Sequence, residues 1–274
     1  MNRVDPFFGI ERQPLITSSG IPVDKEALVR EDTGTVLGII SPGYKVVSNN
    51  DVSDLFDRAL ENYPVAKVTD HLDSIGKRWK RRIVFDKDEL SYDVDGRGDN
   101  VGVMIEIHNG YDARTAWGFN VLGYRWICQN GMVMGKKKLF SESYSHFNDD
   151  IQRLLNSFQM KFELFNQTAL TWSDWTKESF NRHDFKGYIE SKIKDDNRGQ
   201  SGYISRKIAE GIVAQYDPIM NKYKMDENKW GAFNVLTYIS THETKARKGS
   251  NVFSNRYKTV NRLADDFYSF EKAA

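Results

Sequence analysis

The sequence predicts an α+β protein: an N-terminal antiparallel β-meander with one helix, followed by a mainly α-helical C-terminal half. Three observations carry this. Val101, Val103, Ile105 and Ile107 alternate with Met104, Glu106 and His108, the period-two pattern of a half-buried strand. Asn109-Gly110, a strong hairpin signal, leads into a second run over 114–128 rich in Trp, Phe, Val, Tyr and Ile. Beyond Phe147 the apolar spacing becomes helical, and strands segregated from helices define the α+β class.

In chain order, residues 1–30 read as an irregular segment, with Pro6, Gly9, Pro14, Gly20 and Pro22 spaced through it. Residues 35–40 are a short apolar strand. Ser41-Pro42-Gly43-Tyr44 has type II turn chemistry, and 44–47 returns as a strand. Asn49 or Asn50 caps a helix that puts Val52, Leu55, Phe56, Ala59 and Leu60 on one face. Pro64 closes that helix, and 65–68 is a further strand. In 77–86, alternation puts Arg78, Lys80 and Arg82 on one strand face and Trp79, Ile83 and Phe85 on the other. An acidic, Gly-containing connection over 86–99 leads into the meander. Asn130-Gly131 then turns the chain toward a third strand at 132–134.

Asp149 or Asp150 caps a long helix bearing Ile151, Leu154, Leu155, Phe158, Phe162 and Phe165, and Trp172 and Trp175 mark a break. Phe185, Tyr188, Ile189 and Ile193 give a second helix. Ile204, Ile208 and Ile212 give a third, ended by Asp217-Pro218. Residues 230–241 give a fourth, and Tyr257, Val260, Leu263, Ala264 and Phe267 a fifth. The expected organisation is an irregular 1–30, a sheet region over 31–146, and a helical region over 147–274 packed on the sheet as one compact unit.

With 274 residues, 39% hydrophobic and 13% aromatic, the chain has material for a substantial core. Its formal net charge of +1 gives no global attraction to nucleic acid or membrane, so binding must use local patches. The single cysteine, Cys128, allows no intrachain disulfide and suits a reducing compartment. No apolar run approaches the roughly 20 residues of a membrane span, and the first residues lack a signal-peptide core. A cytoplasmic protein is expected, with no membrane partner.

The stretch VLGIISPGYKVVSNNDVSDLF, followed by HNGYDARTAWGFNVLGYRWICQNGM, resembles the phage/plasmid-like proteins grouped as domain of unknown function 932. The matching positions are Leu37, Gly38, Tyr44, Asn49, Gly110, Arg125, Cys128 and Asn130. Asp112 follows Gly110 where the family often has Asp before Gly. The resemblance spans about 30–135 and is looser beyond. It implies a phage or plasmid setting and assigns no functional residue.

Two basic clusters stand out: KRWKRR at 77–82, and Lys136, Lys137 and Lys138. Trp79, Tyr124, Trp126 and Phe140 lie within or near them. Single-strand binders combine a basic groove for phosphates with aromatic faces for bases. The expected interface is therefore Arg78, Trp79, Lys80, Arg82, Arg125, Trp126, Lys136, Lys137 and Lys138. The same runs also read as charged strand edges that block edge pairing. Glu106, His108 and Asp112 are the weak candidates for a metal site; no zinc-protease, paired-cysteine or phosphate-loop motif accompanies them. Cys128 lies in an apolar strand, where cysteine packs as a small hydrophobe. The expected function is non-enzymatic: single-stranded DNA binding or annealing in replication or recombination, with no cofactor and with homo-oligomerisation. The alternatives are an accessory protein that binds a host or defence protein, and a metal-dependent nuclease.

Overall fold

The computed structural model describes residues 5–132, 141–144, 151–194, 202–243 and 251–270. Strands form where 1–30 reads as irregular. β1 (Ile10–Ile16) and β2 (Pro22–Arg30) pair antiparallel, and β3 (Val36–Ile40) completes a three-stranded sheet in the order β1-β2-β3. Pro14 disguised β1: it occupies an edge strand, where proline is tolerated, beside a register shift between Pro14 and Leu15. Both strands also leave much of their length exposed, which weakens apolar alternation.

The turn at 41–44 forms, with the Tyr44 N–H donating to the Ser41 carbonyl at 2.9 Å. Gly43 is not left-handed, however, so the turn is not type II. The chain then runs irregularly, without the strand expected at 44–47, into α1 (Asn49–Ala59). Ser48 is the N-cap rather than Asn49 or Asn50. Its hydroxyl accepts from the Asp51 N–H while the Asp51 carboxylate accepts from the Ser48 N–H, a reciprocal capping box.

β4 (Val65–Leu72), β5 (Arg78–Phe85), β6 (Ser91–Asp93), β7 (Asn100–Gly110), β8 (Trp117–Arg125), β9 (Asn130–Met132) and β10 (Ser141–Tyr144) form a seven-stranded antiparallel sheet. Its main path is β10-β8-β7-β5-β4, with β6 on β7 and β9 on β8. Neither Asn-Gly pair makes the reversal. Asn109-Gly110 ends β7 and Asn130-Gly131 opens β9, while the chain turns at 111–114 and 126–129. Asn109 stays in the strand because its buried amide donates to the Val47 carbonyl at 2.9 Å and to Asn49 Oδ1 at 3.0 Å.

Val101, Val103, Ile105, Ile107, Trp79, Ile83, Phe85 and Phe119 build the buried apolar face of this sheet. α1 and α2 (Ile151–Trp175) pack on it, with Phe56 and Phe158 edge-on to Phe119 at 5.7 and 4.8 Å. α2 continues through Trp172 and Trp175, the residues expected to break it. Both are buried, Trp172 against Trp230 at 5.5 Å. The helices that follow are α3 (Arg182–Glu190), α4 (Arg206–Val213), α5 (Tyr216–Tyr223), α6 (Lys229–Tyr238) and α7 (Asn255–Phe267). A π turn, Ile239–Glu243, extends α6, and a 3-10 turn, Asn251–Phe253, precedes α7. Asp217-Pro218 lies in the first turn of α5 rather than ending α4; proline is tolerated there because that N–H has no helical partner.

One apolar cluster runs through the sheet and the helices. A smaller one, Leu28, Leu37, Ile40 and Tyr111, ties the three-stranded sheet to the chain just after β7. Among the described residues, no helix is long and apolar enough to cross a membrane.

Candidate functional site

The other face of the seven-stranded sheet is apolar at one end, where Val84, Met104 and Tyr124 cluster with Leu122 and Trp126, and polar over the rest, where strand register arranges it in rows. Thr69, Arg82, Glu106, Asn120 and Ser141 form one row; His71, Lys80, His108, Gly118 and Ser143 form the next. Gly118 lets β10 close on β8, since a Cβ there would lie 2.0 Å from the Glu142 carbonyl oxygen. Glu106, only 3% exposed, anchors the centre. It accepts from Lys80 Nζ at 2.5 Å and from Arg82 Nε at 2.8 Å. Burial by itself would raise the Glu106 carboxyl, but Lys80 and then Arg82 outweigh it and hold the group far below the usual carboxylate range. His71 responds to the same surroundings: burial first, then Arg82, lowers it to about 4, so it is neutral at pH 7.

α7 lies over these rows. Arg82 Nη2 donates to the Tyr257 hydroxyl at 2.6 Å, which fastens the helix to the sheet. Between sheet and helix is a groove of about 690 Å³. Arg78 and Lys80 line it from β5, Lys258 and Arg262 from α7, with Asn120, Ser141 and Ser143 among its polar walls. Glu106 and Asp265 are its acidic lining residues, and Glu106 is already engaged by Lys80 and Arg82. Phe253 and Tyr257 border the basic side chains: Arg78 Cζ is 5.3 Å from the Phe253 ring centre and Lys80 Nζ 6.0 Å from that of Tyr257. Arg262 stacks its guanidinium on Tyr203 at 3.8 Å, which orients it at the rim. This arrangement offers cations to phosphate oxygens, amide and hydroxyl groups to polar edges, and half-buried rings to flat apolar surfaces.

The residues expected from the sequence divide between the two faces. Arg78 and Lys80 line the groove; Arg78 also pairs with Asp73 at 3.3 Å. Arg82 lies beneath it, buried and paired with Glu106 and Tyr257, so it supports the groove wall and does not line it. Trp79 is among the residues that line the groove, but at 1% exposure its ring belongs to the apolar core, with its indole N–H donating to Asp70 at 2.8 Å, so it offers no stacking face. Arg125 is an odd-numbered residue of β8, opposite Val101, and points to the core face. There it is buried against Asp99 at 2.7 Å and carries no accessible charge. Trp126 shares the groove's face but stands at its far end, edge-on to Tyr124 at 5.2 Å and outside the groove lining. Lys136, Lys137 and Lys138, with Phe140, lie outside the described residues.

The weak metal candidates do not converge either. Both Glu106 oxygens accept from Lys80 and Arg82, while the Asp112 carboxylate accepts from the Arg114 and Thr115 N–H groups and the Thr115 hydroxyl. No cluster of three or more His, Cys, Asp or Glu side chains suited to a metal ion occurs among the described residues. The sequence reading missed Phe253, Lys258 and Arg262. For the two cations a signal was available: in α7, Lys258 and Arg262 are four apart on the side away from Val260, Leu263, Ala264 and Phe267, while Tyr257 and Asn261 lie on the flank between the two.

Fold and groove together define an α+β protein that carries a basic, ring-bordered groove on one face of an antiparallel sheet. The chain belongs to the family described as domain of unknown function (DUF932), whose model matches residues 36–263. That span runs from β3 through most of α7, well past the 30–135 stretch on which the resemblance rested. No curated protein and no solved structure matches the chain.

Proposed function

We propose that this protein binds single-stranded nucleic acid in the groove between the seven-stranded sheet and α7. One observation carries the reading: Arg78 and Lys80 from β5 meet Lys258 and Arg262 from α7 beside the rings of Phe253 and Tyr257. Cations that track a backbone next to rings that stack bases are what sequence-tolerant single-strand binding needs. Overhang by α7 favours a single strand over a duplex. In the phage or plasmid setting that the family resemblance implies, such binding would serve DNA replication or recombination, annealing included.

The test is fluorescence anisotropy of a labelled single-stranded DNA oligonucleotide at about 50 and about 200 mM salt. Each phosphate contact contributes a slope of about −0.7 in log affinity against log salt. Four contacts therefore weaken binding roughly 50-fold across that range. Replacing Lys258 and Arg262, both exposed, by serine makes the slope shallower by about 1.4, with at most about 1 kcal/mol of stability lost with the Arg262 stack on Tyr203. Absent or salt-insensitive binding overturns the proposal. It would shift attention to a protein partner, for which the exposed Ile16, Ile21 and Val23 of the β1–β2 hairpin are the apolar surface.

A further inference from the structure

We infer that the bound strand does not end in this groove but continues past Arg78 into a second hollow beside β3; the inference rests on the single-strand reading above. That hollow, of about 720 Å³, is bounded by Val36 and Ile39 of β3, by Lys77 and Arg78, and by the loop carrying Asp112 and Arg114. Arg78 lines both cavities, and the 112–115 loop stands between them, with Thr115 on the groove side and Asp112 and Arg114 on the other.

The charges in the hollow are not equivalent. Asp112 is turned inward, accepting from the Arg114 N–H at 3.0 Å, the Thr115 N–H at 2.8 Å and the Thr115 hydroxyl at 3.0 Å. Asp73 likewise accepts from the Lys77 N–H at 2.8 Å and from Arg78 Nε at 3.3 Å. Both carboxylates are thus spent on holding their own loops. Arg78 offsets Asp73, whereas among the described residues Lys77 is fixed through its backbone, by its N–H to Asp73 and its carbonyl to the Tyr111 N–H at 2.8 Å, and Arg114 is exposed, so both side chains can face a ligand. Across from them, Val36 and Ile39 are 50% and 56% exposed. Phosphates therefore meet Lys77, Arg78 and Arg114, while bases meet an apolar strand edge. Arg78 is the hinge of a continuous track, placed to hold the phosphate that passes from one cavity to the other.

The prediction is that length matters. Modular single-strand sites cover about 4–16 nucleotides, so labelled oligothymidylates of about 5 and about 20 nucleotides separate one cavity from two. The Lys77→Ser, Arg114→Ser double variant should bind the short probe as the parent protein does. The long probe should bind more weakly, with a salt slope shallower by about 1.4. The Lys77→Arg, Arg114→Lys variant, which keeps charge, should restore the long probe, and an unchanged thermal unfolding curve in both variants confirms the fold. A long-probe slope identical in parent and double variant overturns the second hollow while leaving the groove in place. Equal weakening of both probes also overturns it, because the two residues would then act on the groove. Failure of the parent protein to bind either probe sinks the underlying reading instead.

Discussion

The two faces of the seven-stranded sheet are made by the same strands and are both covered, yet they are held by different physics. On one, Val101, Val103, Ile105 and Ile107 pack against aromatic side chains of α1 and α2, and burial of apolar surface does the stabilising. On the other, beyond a small apolar patch of Val84, Met104 and Tyr124, a single buried carboxylate, Glu106, holds two cations, and a tyrosine hydroxyl joins the sheet to a helix that leaves space beneath it. The apolar face tolerates no gap. The polar face contains one: α7 is seated on the other helices through buried Val260, Leu263, Ala264 and Phe267 and meets the sheet through a directional bond, so the space between them stays open. The lesson is that a covered sheet face is not automatically core; what matters is whether contacts or point tethers cover it.

Neighbouring residues on β7 break this comparison most sharply. Glu106→Gln leaves buried Arg82 and the partly exposed Lys80 without their counter-charge and is expected to lower stability by about 3–5 kcal/mol in denaturant unfolding. In the molecules that remain folded it should tighten oligonucleotide binding, since the groove loses its central negative charge. Ile105→Ala, one residue away on the opposite face, opens a cavity among apolar neighbours and is expected to cost about 2–5 kcal/mol. It should leave the salt dependence of binding unchanged. A Glu106→Gln protein as stable as its parent, or an Ile105→Ala protein with an altered salt slope, would erase the distinction between the faces.

A smaller effect sharpens it. His71, on the polar face opposite Lys80, titrates near 4 in the fold against an ordinary 6.5. Between those values the unfolded chain takes up a proton that the folded one does not, so stability falls as pH drops from 6.5 toward 4 and is fully present above 6.5. The loss is expected to be about 1–3 kcal/mol, discounted for the partial exposure of the ring. A His71→Asn variant should show a flatter pH profile over that window, measured by urea unfolding at several pH values; an equally steep one would assign the dependence to other groups.

Much of the sheet could be read in advance because its central strand alternates so regularly. Where the sequence misled, a distant partner decided the local structure. Asn109-Gly110 has hairpin chemistry, but the Asn109 side chain is claimed by Val47 and Asn49 some sixty residues earlier. β1 and β2 carry prolines, β1 buries no side chain and β2 buries only the consecutive residues Ala27, Leu28, Val29 and Arg30, so their pairing leaves no apolar alternation in the sequence. The polar face was half legible: alternation correctly grouped Arg78, Lys80 and Arg82 and set Trp79 apart, yet could not show that Arg82 is neutralised by Glu106. Charge clusters in a sequence count ions without their partners, which is why Arg125, spent on Asp99, looked available. Lys258 and Arg262 were overlooked because a basic pair on one helix face is commonplace until the opposing strand is known.

The hydrogen bond from Arg82 to Tyr257 joins residues 175 positions apart. During translation the strand that carries Arg82 leaves the ribosome long before the helix that will cover it, and among the described residues the wall opposite Arg78 and Lys80 comes from that helix and the turn before it. A nascent chain can complete its apolar layer against α1 and α2 while the ionic layer still faces solvent. The groove is thus completed late, and a truncation just before α7 should yield a collapsed chain in which the proposed binding site is missing one wall.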